Sequence, residues 1–108
     1  MKKRWILFLL VLLASCSNRP LSITDAWART ASAGGTSAIY FQIDNRGGED
    51  DTLLSAQCDA ADATELHISQ SQADGTMKMM HMDAVPVPAG ERVSFEPGGL
   101  HVMLINLK

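Results

Sequence analysis

The sequence predicts an all-β domain, a sandwich or a barrel, behind an export leader. Short runs alternate apolar and polar residues with the period of two that a half-buried strand requires. Turn signals built on Gly, Pro, Asn and Asp recur about every eight to twelve residues. Only one stretch, residues 56–65, has the alanines and acids that suit a turn of helix.

Residues 1–15 read as a signal peptide. Lys2, Lys3 and Arg4 make a positive start, and residues 5–13 are an apolar run too short to span a bilayer. Leu13-Ala14-Ser15-Cys16 then resembles the bacterial lipobox, in which cleavage falls before the cysteine and its thiol takes a diacylglyceryl group. Cys16 is the expected lipidation site, residues 16–21 a lipidated tether, and residues 22–108 the domain. Acyl chains anchor at about 0.8 kcal/mol per buried CH₂, so the expected place is a membrane surface facing the periplasm or the cell exterior. Cleavage removes three of the nine Lys and Arg and none of the twelve Asp and Glu, leaving a net charge near −6. So acidic a chain is a poor partner for nucleic acid, whose binding needs Lys and Arg to displace counterions. With Cys16 lipidated, Cys58 has no disulfide partner and reads as a small packed thiol.

Residues 39–43 are β-branched and aromatic and read as a strand. Asn45-Arg46-Gly47-Gly48 is a turn, and residues 52–56 a return strand. In residues 65–69, Leu66 and Ile68 share one face and Glu65, His67 and Ser69 the other. Asp74-Gly75 is a turn before a strand at 77–82. Pro86 and Pro88 flank Val87 and demote that stretch to an edge or a loop. Residues 92–96 alternate again, Pro97-Gly98-Gly99 turns, and 101–107 is the last strand. Because the chain ends at Lys108 directly after that apolar strand, the strand is expected at a raw sheet edge and the sequence is expected to be cut short.

The chemistry-bearing residues are concentrated. Apart from Met1, the methionines are Met77, Met79, Met80, Met82 and Met103, and the histidines are His67, His81 and His101. All eight fall within residues 67–103. Methionine by itself is ordinarily core filler, and a lone histidine an ordinary surface or core residue. Their joint clustering points to a soft metal. A thioether is a neutral, soft ligand that selects Cu(I), and imidazole suits copper as well. Unlike a thiol, a thioether cannot become a disulfide in an oxidising compartment. On strands, His101 and Met103 share a face, as do Met77, Met79 and His81, while Met80 and Met82 point the other way as core or rim. Zinc fits less well, since a site built from the three histidines would leave the methionines unexplained. The sequence carries neither G-x-S-x-G nor H-E-x-x-H, and Gly34-Gly35-Thr36-Ser37 lacks the strand-to-helix setting of a phosphate loop.

His67, eleven residues, Met79, twenty-one residues, His101, one residue, Met103: this spacing resembles the hallmark of the periplasmic copper chaperone family written PCu(A)C. Ala26-Trp27-Ala28-Arg29, Tyr40-Phe41-Gln42-Ile43-Asp44-Asn45, Glu65-Leu66-His67 and Pro97-Gly98-Gly99-Leu100-His101 agree with it, and the resemblance runs from about residue 23 to 108. Two departures stand out: Ile68 occupies a place where some members carry a second Met, and Met80-His81-Met82 is richer in ligands than is usual there. The resemblance implies a cupredoxin-like Greek-key β-sandwich, here without the family's last strand pair. It implies one Cu(I) in a His₂Met₂ site of His67, Met79, His101 and Met103, with Met77 and His81 as candidate secondary ligands. It implies a chaperone and not an enzyme, supplying a copper-accepting respiratory enzyme such as cytochrome c oxidase, with a second copper chaperone as a further candidate partner. Two other readings stay open: a surface β-sandwich interaction module in which methionine is packing, and a small periplasmic metalloenzyme.

Overall fold

A computed structural model describes residues 20–108; the expected signal peptide, the expected lipidation site Cys16 and the expected tether up to residue 19 lie outside the described residues. Eight strands follow one another: β1 (Leu21–Ala28), β2 (Ser37–Asn45), β3 (Asp51–Leu53), β4 (Ala61–Ser71), β5 (Met77–His81), β6 (Val85–Val87), β7 (Arg92–Phe95) and β8 (Leu100–Leu107). Six form one sheet in the order β1-β2-β7-β8-β4-β5, while β3 and β6 pair separately as a second, two-stranded sheet. The first half of β2 pairs with β8 and its second half with β7.

One face of the large sheet makes the core. Ile43, Leu66, Phe95, Val102 and Leu104 meet Val85 and Val87 of the small sheet there. Fully burying each such side chain stabilises by about 1.5–3 kcal/mol. The period of two on β4 and β8 therefore has a second consequence. With Leu66, Val102 and Leu104 turned inward, His67, His101 and Met103 are turned to the opposite face.

Three sequence expectations differ from what is observed, and one strand had no expectation. Residues 52–56 do not return along β2. The strand there, β3, pairs with β6 through Asp51↔Val87 and Leu53↔Val85, and β7 takes the place beside β2. The buried Asn45 explains the detour, since its amide donates to the carbonyls of Glu49 and Val87, at 2.9 Å each. Residues 56–65 form no helix; β4 begins at Ala61 and pairs with β8 from there. Ladder pairing and burial of Ala61 and Leu66 outweigh the intrinsic helix preference of alanine. The last strand is not an edge, because β8 lies between β2 and β7 on one side and β4 on the other. Lastly, β1 fills a stretch that alternation alone did not single out, and its residues are almost all exposed. The prolines around Val87 do mark an edge strand, β6.

β1 also carries a bulge. Its register on β2 runs Thr24↔Gln42 and then Trp27↔Tyr40, one residue out of step. Asp25 sits there at φ 55°, in the left-handed region that Asp tolerates better than most residues. A one-residue slip moves later side chains to the other face. Trp27 thereby joins Tyr40 on the face away from the core, with ring centroids 4.6 Å apart.

Candidate metal centre

The histidines sit in a row across that outer face. His67 on β4 lies opposite His101 on β8 and opposite His81 on β5. Ring centroids are 5.7 Å apart for His67 and His101 and 5.9 Å for His67 and His81. Tyr40 continues the row 6.4 Å from His101. The register that sets His81 opposite His67 is fixed by the turn joining β4 and β5. Gln72 donates its N–H to the Thr76 carbonyl at 2.7 Å, Gly75 turns at φ 84°, and Asp74 accepts from both the N–H and the hydroxyl of Thr76. Those bonds from Thr76 hold the Asp74 carboxyl below its ordinary pKa, because they favour the charged form.

Each of the two inner histidines is oriented by the residue two positions before it. The His67 Nε2–H donates to Glu65 Oε2 at 2.7 Å, and the His101 Nδ1–H donates to the Gly99 carbonyl at 3.1 Å. A carboxylate and a carbonyl only accept, so the protons are on those nitrogens. That leaves a lone pair on His67 Nδ1 and on His101 Nε2. Both atoms are buried and have no hydrogen-bond partner. Buried polar atoms are ordinarily satisfied, so two orphaned acceptors on neighbouring rings are a departure that a bound cation would remove. A histidine that ligates a metal ordinarily gives its other N–H to a carboxylate or carbonyl, as both rings do here.

Sulfur is close by. Met103 follows His101 by two residues on β8, and Met79 lies opposite Ser69, two residues along β5 from His81. His101, Met79 and Met103 line one open cavity of about 370 Å³ with Met77, Tyr40 and Arg29. The Arg29 guanidinium lies 5.5 Å above the Tyr40 ring. Among the described residues, no three His, Cys, Asp or Glu side chains converge as a metal cage. The thioethers of Met79, Met103 and Met77 are the further soft donors that line the cavity with His101. Met80 is exposed on the other face of β5, and Met82 packs against the core. Cys58 is a free, half-buried thiol packed against the core. The sequence places Glu65 on the face of His67 and Gly99 just before His101, but does not by itself show that they orient the two rings. Their signal was present, since each stands two residues before a histidine and so on its face.

The sequence pattern of the LpqE-like lipoprotein family matches residues 21–108, the whole of β1 to β8. The chain belongs to the LpqE-like lipoprotein family. A relative of this LpqE-like lipoprotein, "Putative lipoprotein Lxx21020" of Leifsonia xyli subsp. xyli, is 27% identical over 88 residues, which are 82% of this chain and 52% of that protein. The LpqE-like chain thus spans about half the length of that relative. Two solved structures share its fold. The copper-bound PCuAC domain from PmoF2 superposes with a TM-score of 0.66 at 24% identity, covering 82% of this chain and 68% of that one. The apo PCuAC domain of PmoF2 gives 0.63 at 23%, covering 82% and 67%. The cupredoxin-like sandwich expected from the sequence is therefore the fold of this LpqE-like lipoprotein.

Proposed function

We propose that this chain is a Cu(I) chaperone, exported and held at a membrane by lipid on Cys16. It takes one Cu(I) on His67, Met79, His101 and Met103 and passes it to a copper enzyme such as cytochrome c oxidase, directly or through a second chaperone. The observation that carries this reading is the pair of buried, unpartnered nitrogens on His67 and His101, on the face that also presents Met79 and Met103. Two imidazoles and two thioethers make a soft, uncharged donor set, which suits Cu(I) better than a hard divalent ion. Copper bound by the PmoF2 domain of the same fold supports it, as does the uninterrupted His and Met spacing. Met79 is 56% exposed, so a partner's ligand can reach the ion before the chain's own ligands leave.

The test is anaerobic titration of the metal-free protein with Cu(I) against a competing Cu(I) chelator, followed by X-ray absorption on the loaded protein. One equivalent bound with both nitrogen and sulfur neighbours is the expected result. No competition with the chelator, or affinity indifferent to His67→Ala and His101→Ala, overturns the reading and leaves the interaction module in its place.

A further inference from the structure

We infer that His81 is a third copper ligand, used to carry the ion in and out and not to hold it at rest. The row His101–His67–His81 then provides two overlapping positions: an inner one between His101 and His67, and an outer one between His67 and His81. This rests on the copper reading above.

Distance permits both positions. An imidazole nitrogen binds a first-row metal at about 2 Å, which puts its ring centroid roughly 3.2 Å from the ion, so two rings up to about 6.4 Å apart can share one. The two steps of the row, 5.7 and 5.9 Å, both fall within that reach. The three rings do not converge on one point, so an ion uses them two at a time. His67 has a single free nitrogen, Nδ1, because Nε2 is engaged by Glu65. One lone pair serves one ion, and the two positions are filled in turn.

Exposure orders them. His101 is 3% exposed, while the side chains of His67 and His81 are 14% and 55% exposed. The thioethers show the same range of exposure, from half-buried Met103 on β8 to exposed Met79 and Met77 on β5. The exposed Asp83 carboxylate lies 3.4 Å from His81 Nδ1, on the side chain at the open end of the row. In the step itself, a bond from copper to His81 forms as the bond to His101 breaks, with His67 retained throughout. Copper stays Cu(I), no electron is transferred, and no proton moves.

The experiment is stopped-flow release of Cu(I) from the loaded protein to excess bathocuproine disulfonate, for wild type, His81→Phe and His81→Met. Phenylalanine keeps a ring edge-on to His67 but has no lone pair; methionine restores a soft donor. Equilibrium affinity should stay within a few-fold for all three. Release from His81→Phe should be about ten times slower, the effect of about 1.4 kcal/mol on a barrier, with His81→Met near wild type. Equal release rates overturn the inference, and so does a loss of affinity in His81→Phe as large as that in His101→Ala, which would make His81 a resting ligand. If the wild type binds no Cu(I), the chaperone reading falls and this inference with it; with binding intact and rates equal, only this inference falls.

Discussion

Glu65 accepts the Nε2–H of His67 at 2.7 Å, and that bond decides which nitrogen of the ring is left for an ion. Both residues stand on β4, two positions apart, so the strand's own geometry delivers the carboxylate to the ring. The Gly99 carbonyl does the same for His101 from the start of β8. In each case the partner fixes the tautomer and the ring plane.

Removing the Glu65 carboxylate should therefore weaken copper binding although Glu65 is no ligand. Glu65→Ala is expected to lower Cu(I) affinity by about 10- to 100-fold, the usual effect of losing such a partner. Glu65→Gln should lose less, because the amide oxygen still accepts from Nε2–H. Chelator competition reads both, and an unchanged affinity in Glu65→Ala would contradict the role given to the pair.

The histidines should divide in their effects. His101→Ala removes a buried nitrogen whose neighbour His67 Nδ1 is also orphaned, and should lower equilibrium affinity far more than His81→Ala, which should stay within a few-fold. Equal losses would show that the resting ion lies on the β4–β5 side of His67.

The alternation on β4, β5 and β8 was legible in the sequence because it is local: each strand's own residues say which of them share a face. The relation between strands was not. Nothing in residues 61–71 says that His67 will stand opposite both His101 and His81, since that register depends on pairing residues 14 and 34 positions away. The β3–β6 pair was hidden for the same reason, as its decisive bond runs from Asn45 to the Val87 carbonyl across 42 residues. The face of Trp27 could not be counted from its neighbours either, because a bulge at Asp25 shifts the register of β1 on β2 by one residue.

Asp44 and Arg92 offer a prediction about acid stability. They face each other in register on β2 and β7, with Arg92 Nε donating to Asp44 Oδ1 at 2.6 Å and Nη2 to Oδ2 at 3.3 Å. These bonds hold the Asp44 carboxyl below its ordinary pKa and raise that of Arg92. A depressed carboxyl pKa contributes stability that is present above the unfolded value, about 3.9, and is lost as pH falls through the folded value. Arg92→Met should thus lower Tm at pH 7, and the gap to wild type should close on acidification below the ordinary carboxylate range. A gap that stays constant down to pH 2 would mean that the pair's charge contributes nothing.

Anchoring should depend on one atom, the Cys16 thiol. With Cys16→Ala, cell fractionation is expected to show the protein released from the detergent-soluble membrane pool or left unprocessed. A mature, membrane-bound Cys16→Ala protein would show that the apolar leader is not a lipoprotein signal.

The thioethers should matter for Cu(I) and for little else. Met103→Leu keeps volume and apolarity, and such an exchange ordinarily costs under about 1.5 kcal/mol of stability. Met103 is half-buried on the outer face and outside the core cluster, so its replacement should leave Tm nearly unchanged. It nevertheless deletes a sulfur lone pair, so Cu(I) affinity should fall by about tenfold or more, the effect of about 1.4 kcal/mol. Zn(II) prefers nitrogen, thiolate and carboxylate donors and should bind the wild type more weakly than Cu(I), with little further change in Met103→Leu. Parallel titrations with the two metals decide the matter. Loss of Zn(II) and Cu(I) affinity in equal proportion would mean that the substitution disturbs His101 and not the donor set, and tighter Zn(II) than Cu(I) binding in the wild type would end the chaperone reading.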